Sequence, residues 1–203
     1  MRNAPLSSAG WRAGRALVLV AACLLPTRTA TALAPTPTVQ HVEPPPAHYG
    51  NLRIGPSTAT GRPVMCLELS PNARVSLESC GTGAGFMHHD PGPEIAHFRG
   101  HVRLTQWSTA MGWLQPRVTA GFAEVQIGQD EAGFDFTSAG ANGHETAGPE
   151  VGVSLRALTP IGRGFELVSE LQAGAAWLPY APDLVQPMPK FQPSASLTLG
   201  FGF

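Results

Sequence analysis

Charge is what this sequence has least of. Only 13% of its 203 residues are Asp, Glu, Lys or Arg, about half the share of an ordinary soluble domain. Lys190 is the single lysine. A surface coated with solvated charge is therefore excluded. Long apolar runs are missing too. The longest, Ala16 to Leu25, falls well short of the about twenty residues that a membrane-crossing helix needs. A helical membrane protein is excluded on that ground. With Lys+Arg 13 against Asp+Glu 14, the chain lacks the basic surplus of a nucleic-acid binder. No helical period of any length follows the N-terminal region.

What is present begins with an export signature. Arg2, Arg12 and Arg15 precede the apolar run, Pro26 breaks it, and Ala30, Thr31 and Ala32 offer a small-residue cleavage site. These are the parts of a secretory signal, and cleavage is expected after Ala32. A rival cut lies at Cys23, where Val20 to Cys23 is similar to a lipoprotein box, although Leu24 and Leu25 continue the apolar stretch past the cysteine. From residue 33 onward nine basic residues face fourteen acidic ones, a net charge of 9 − 14 = −5. Residues 33–50 are expected to form a Pro-rich linker, since 35–48 reads PTPTVQHVEPPPAH, a composition that favours an extended spacer.

From residue 51 to 203 the dominant pattern has period two, the signature of half-buried strands. Phe191, Ala195, Leu197, Leu199, Phe201 and Phe203 share one parity, and Gln192, Ser194, Ser196, Thr198, Gly200 and Gly202 the other. Arg163 to Trp177 repeats the scheme, with Phe165, Leu167 and Leu171 against Glu166, Glu170 and Gln172. Glu150 to Thr159 follows, with Val151, Val153 and Leu155 against Glu150, Gly152, Ser154 and Arg156. Shorter alternations centre on Leu67, Leu77, Val102 and Val118. Near Ala123 the pattern suggests a change of register that a bulge would supply.

The polar face of these strands is rich in Gly, Ser and Thr with a few charges of both signs. That suits the narrow interior of a transmembrane barrel whose apolar face meets lipid. The gaps between strands alternate in length: short at Pro71 to Arg74, Ser108 to Gly112 and Pro160 to Gly162; longer at His88 to Ala96, Gln129 to Pro149 and Leu178 to Lys190. Short turns on one side and long loops on the other are the habit of outer-membrane barrels. Seven strands would leave the termini on opposite sides, so an eighth is required, and Asn51 to Gly55 supplies it. The expected fold is all-β: an eight-stranded antiparallel up-and-down transmembrane β-barrel.

The ending SASLTLGFGF resembles the terminal strand of Gram-negative outer-membrane β-barrel proteins of the small, eight-stranded type. Thr198 stands where that class usually carries a glycine. The resemblance implies that Phe201 and Phe203 form a signal read by the barrel-assembly machinery, and that the chain resides in the outer membrane among its lipids.

Few residues suggest chemistry. If Ser70 pairs with Ser76 around the Pro71 turn, Cys66 lies opposite Cys80 on the polar face, close enough for a disulfide. Two free thiols or a metal pair are the alternatives. Parity places Glu68, Glu78, Glu166 and Glu170 inside with Arg99, Arg103, Arg117 and Arg156, and His101 beside them. Pairing Thr159 with Arg163 would set Arg156 opposite Glu166. Charges in a low-dielectric interior must be paired, and eight strands leave only enough interior for side chains to fill, so a salt-bridge network is favoured over an ion path. His88, His89, His97 and His101 lack the convergence that a metal site needs. Gly81, Gly83 and Gly85 are not followed by the Lys and helix of a phosphate loop, and no GxSxG motif is present. Trp107 and Trp113 at one end, with Trp177 and Tyr180 at the other, fit interfacial girdles.

The function expected from the sequence is non-enzymatic, without cofactor, metal or nucleic acid: envelope structure, or surface recognition and adhesion by the loops 129–149 and 178–190, for an extracellular ligand that the sequence leaves unnamed. The alternatives are a soluble periplasmic lipocalin-like binder and an outer-membrane lipid hydrolase or acyltransferase.

Overall fold

A computed structural model describes residues 49–59, 61–82, 92–128, 133–162 and 164–203. The export segment, Cys23, nearly all of the Pro-rich linker and the pair His88 and His89 lie outside the described residues. The described residues form nine strands: β1 (Tyr49–Pro56), β2 (Pro63–Ser70), β3 (Val75–Gly81), β4 (Pro93–Arg103), β5 (Trp107–Thr109), β6 (Gly112–Ile127), β7 (Glu145–Gly162), β8 (Phe165–Trp177) and β9 (Phe191–Gly202). A single 3-10 turn, Ala181–Asp183, interrupts the β8–β9 connection.

All pairings are antiparallel, each strand lies beside its neighbour in sequence, and β1 returns to β9 to close the sheet. Tiny β5 continues the course of β4 along the same edge of β6, so nine strands make an eight-stranded up-and-down barrel. Closure leaves no sheet edge unpaired. The N-terminal strand expected at residues 51–55 is β1, and it makes the closure. Its pairing with β9 runs to the chain's last residue, where Gly50 and Phe203 exchange backbone hydrogen bonds of 2.9 Å each.

Polarity sorts by parity as alternation requires. Leu52 and Ile54 on β1, Leu67 and Leu69 on β2, Val151 and Val153 on β7, Leu171 on β8, and Leu197, Leu199 and Phe201 on β9 are all exposed on the outer face. Arg53, Glu68, Glu78, Arg156 and Glu170 are buried within. The barrel is thus inside out relative to a water-soluble domain, whose interior is its apolar part.

No register change occurs near Ala123. Pairing of β6 with both β4 and β7 runs through that position without a break. What changes there is the chemistry of the interior, not the face. Ala123, Val125 and Ile127 still point inward and join Ile95, Ala176, Leu178, Ala181 and Leu184 in a buried apolar cluster at the long-loop end. The expected bulge lies instead in the β7–β8 hairpin, between Pro160 and Gly162. Gly162 and Gly164 take φ of 100° and 81° there, a left-handed conformation open mainly to glycine. The hairpin is longer than the sequence suggested, and Arg156 therefore faces Glu170 while Glu166 faces Pro160.

Trp113 also departs from expectation. It sits inside the short-turn end with Leu158 and Val168, whereas Trp107 and Trp177 are exposed and Tyr180 packs on the apolar cluster at the opposite end.

Candidate functional site in the barrel interior

The charged middle of the barrel is assembled strand by strand, because period-two alternation delivers one polar side chain inward at every second residue. Arg53 comes from β1, Glu68 from β2, Glu78 from β3, His97, Arg99 and His101 from β4, Arg117 from β6, Glu150 and Arg156 from β7, and Glu170 from β8. Short β5 and β9 contribute no charge, and β9 supplies Thr198, whose hydroxyl accepts from Arg53 Nη1 at 3.2 Å.

Two carboxylates form the hub. Glu68 and Glu170 each meet the same three guanidinium groups, those of Arg53, Arg117 and Arg156. Arg53 reaches Glu170 at 2.5 Å and Glu68 at 2.9 Å, and it also pairs with Glu78. Arg117 holds Glu68 at 2.8 Å and donates to Ser154 at 3.2 Å. Arg156 Nε lies 3.1 Å from Glu170. A second group adjoins this hub. Arg99 donates to Glu150 at 2.6 Å and to Gln172 at 2.8 Å, and stands 3.4 Å from Glu78. His97 Nδ1 is 2.9 Å from the other Glu150 oxygen. Guanidinium forks suit such shared carboxylates, since each presents five donors in a fixed plane.

Four Arg and four Glu thereby balance in a space from which water is largely excluded. Breaking one partner of a buried ion pair leaves an uncompensated charge, which is far costlier than the pair is worth. The network spans strands on every side of the barrel, so it ties the walls to one another across the interior. Glu68, Glu78 and His101 bring potential metal-ligand atoms within 4.8 Å of one another. Arg53 already engages both carboxylates, which makes the trio a set of ion-pair partners rather than an open coordination sphere.

Of the residues expected inside from sequence, Glu68, Glu78, Arg99, Arg117, Arg156 and Glu170 are brought together. Arg103 and Glu166 are not part of the hub. Arg103 donates to Gln106 at 2.6 Å near the short turns, and Glu166 lies toward that same end, opposite Gly202 of β9. Arg53 and Glu150 were missed as members. Both were legible: Arg53 alternates with Leu52 and Ile54, and Glu150 shares the parity of Ser154 and Arg156. Cys66 and Cys80 are directly opposed and joined by a disulfide inside the barrel. Phe201 and Phe203 lie exposed on the outer face.

The long loops are ordered where they meet the barrel. Phe134 and Phe136 of the β6–β7 loop fold against Phe122, with ring centroids 5.2 and 5.4 Å away, and Phe122 stacks on Phe98 at 5.0 Å. Asp135 between them accepts from the hydroxyl of Ser138 at 2.5 Å and from the backbone N–H of Thr137 at 2.8 Å. Those bonds hold its pKa down to about 2. The backbone of Val185 in the β8–β9 loop donates to Gly143 of the first loop at 2.8 Å, so the two loops meet over the apolar cluster.

Comparison with known proteins returns little. No protein-family model matches the chain, and no curated protein does. Among solved structures, the chain is similar to the N-terminal β-barrel domain of Pseudomonas aeruginosa OprF, at 15% identity and a TM-score of 0.42, over 77% of this chain and 96% of that one.

Proposed function

We propose that this chain is an outer-membrane β-barrel protein that acts without catalysis, in envelope structure or in surface recognition and adhesion. The observation that carries this reading is the polarity of the barrel. An apolar belt on all eight staves cannot be left in water, because monomeric soluble proteins rarely expose contiguous apolar patches beyond a few hundred Å². Lipid is the solvent that suits it. A soluble lipocalin-like binder calls for an apolar interior to hold its ligand, whereas this interior is charged through its middle.

In this reading the short turns and both strand ends at Tyr49 and Phe203 face the periplasm, and the long loops face the exterior. The ion pairs and the apolar cluster close the bore to solutes. The loops around 133–144 and 178–190 present the recognition surface, which suits the habit of loops to carry function on a rigid scaffold. The assembly machinery reads β9 with Phe201 and Phe203 during insertion, after an export signal ending at Ala32 is removed.

Cell fractionation followed by gel electrophoresis with and without heating tests this. The chain should require detergent for release and should run at two mobilities, folded and heat-denatured. Release by osmotic shock alone, with one mobility at both temperatures, would overturn the proposal.

A further inference from the structure

The outer wall made by β3, β4 and β6 carries two cavities, one above the other. The lower is an open groove of about 450 Å³, a size suited to a small ligand. Leu67, Leu69 and Leu77 flank it, Phe98 and Phe122 stand at its upper end, and Gly100 forms part of its floor. Gly100 sits in register between Leu77 and Ala120, so the missing side chain makes the dent. The upper cavity, of about 220 Å³, is polar and has Glu94, Glu124 and Gln126 in its lining with Gly81 and Ala96. Gly81, Ala96 and Glu124 are paired neighbours in one row, and Ser79, Phe98 and Phe122 are paired neighbours in the next row on the same face. Two residues along a strand are about 7 Å, so the cavities share the same staves, polar toward the long loops and apolar toward the belt. Between them Phe98 stacks on Phe122 at 5.0 Å, and Phe134 meets both edge-on at 5.1 and 5.2 Å. Aromatic side chains mark the water–lipid boundary of a membrane barrel.

The upper cavity holds carboxylate without its counter-charge. Glu94 is answered by Arg62 at 3.3 Å. Glu124 has no such answer. It belongs to the outward row, yet it is only 4% exposed. The first residues of the β6–β7 loop are pinned beside it: the N–H of Ala147, its partner across the sheet, donates to Asp135 at 2.8 Å, and that of Glu145 donates to Ala139 at 3.3 Å. Glu124 accepts from the side-chain amide of Gln126 at 2.9 Å and from the backbone N–H of Gly133, both neutral donors. Glu145, opposite Gln126, brings a second carboxylate to the same face. Neither Glu124 nor Glu145 forms an ion pair among the described residues. A desolvated carboxylate calls for a counter-charge.

We infer that this wall seats one membrane lipid whose headgroup carries an ammonium group, the ammonium beside Glu124 and an acyl chain in the groove over Gly100. An ammonium offers three N–H donors, enough for the Glu124 carboxylate and the side-chain oxygen of Gln126 together. An anionic headgroup would meet carboxylates instead. The inference rests on the membrane reading above, since a bilayer is what brings such a ligand to the outer wall.

The test places the full chain in bilayer discs of equal phosphatidylethanolamine and phosphatidylglycerol with matched acyl chains, and native mass spectrometry weighs the lipid that stays bound on release. One ethanolamine lipid should be retained in preference. E124Q keeps the shape of the side chain and removes its charge, and it should lower the ratio of ethanolamine to glycerol lipid by about fivefold or more. S79L, which fills the groove from the lipid side, should reduce retention of both lipids, and D183N in the other long loop should change neither. Heat-dependent gel mobility verifies that each variant is folded. A parent chain that enters no disc and shows a single mobility would remove the membrane reading itself. A chain that inserts but retains the two lipids equally, an E124Q ratio equal to the parent's, undiminished retention by S79L, or a lipid-free dimer would overturn the lipid site alone.

Discussion

At the scale of single residues, Arg53 carries the most consequence. Its side chain touches Glu68, Glu78 and Glu170 together and accepts no competition from bulk water, being 2% exposed. Arg53→Met keeps the volume and removes the charge, leaving three carboxylates to share the remaining guanidinium groups. The expected loss is roughly 3–5 kcal/mol of unfolding free energy, read as a lowered denaturant midpoint for the folded, heat-modifiable form. A midpoint unchanged from the parent would mean that the hub contributes nothing to holding the walls together. Size matters as much as charge at this scale. The same inward row that takes the Arg53 guanidinium on β1 takes only a hydrogen on β9, where Gly200 lies beside Arg53.

At the scale of elements, the β1–β9 seam is the point at which the barrel closes, and it closes on glycine. A Cβ built on Gly200 would lie 1.9 Å from the carbonyl oxygen of Leu52, and one on Gly55 equally close to that of Leu197. Gly200→Ala should therefore prevent closure and abolish the compact, fast-running species on unheated gels. Gly100→Ala on β4, where the nearest atom is 3.7 Å away, should refold like the parent. Equal refolding of both would show that the seam tolerates a spreading of its strands. Much of this architecture was legible in the sequence, because two-residue periodicity reports the face of every strand directly. The β2–β3 register followed from a single turn assumption, and Cys66 does face Cys80. The β7–β8 register did not, since Gly162 and Gly164 lengthen the hairpin while preserving parity; Arg156 and Glu166 stay on the right face and miss each other. Near Ala123 the inference from composition to face failed for a physical reason. Inward positions were assumed polar throughout, but the long-loop end of the interior is apolar. Trp113 shares the inward parity of Gln115 and Arg117, and it is buried with Leu158 and Val168 rather than at the lipid-facing girdle its aromatic ring suggests.

At the scale of the whole molecule, the outer belt decides the environment. Leu171 lies midway along β8, is 55% exposed, and is flanked by Leu155 and Leu197 on the neighbouring strands. In a bilayer, Leu171→Arg should cost about 2–4 kcal/mol near the midplane, measured by unfolding from lipid vesicles. On a water-exposed surface the same change would fall within about half a kcal/mol, so a negligible cost would contradict membrane residence. One further property belongs to this scale. The sulfurs joining Cys66 and Cys80 lie in the interior beside Val64, and both cysteines are 2% exposed. Such burial is expected to slow an oxidant's access once the last strand meets the first, so reduced, folded chains should form the bond more slowly than reduced, unfolded ones under the same oxidant.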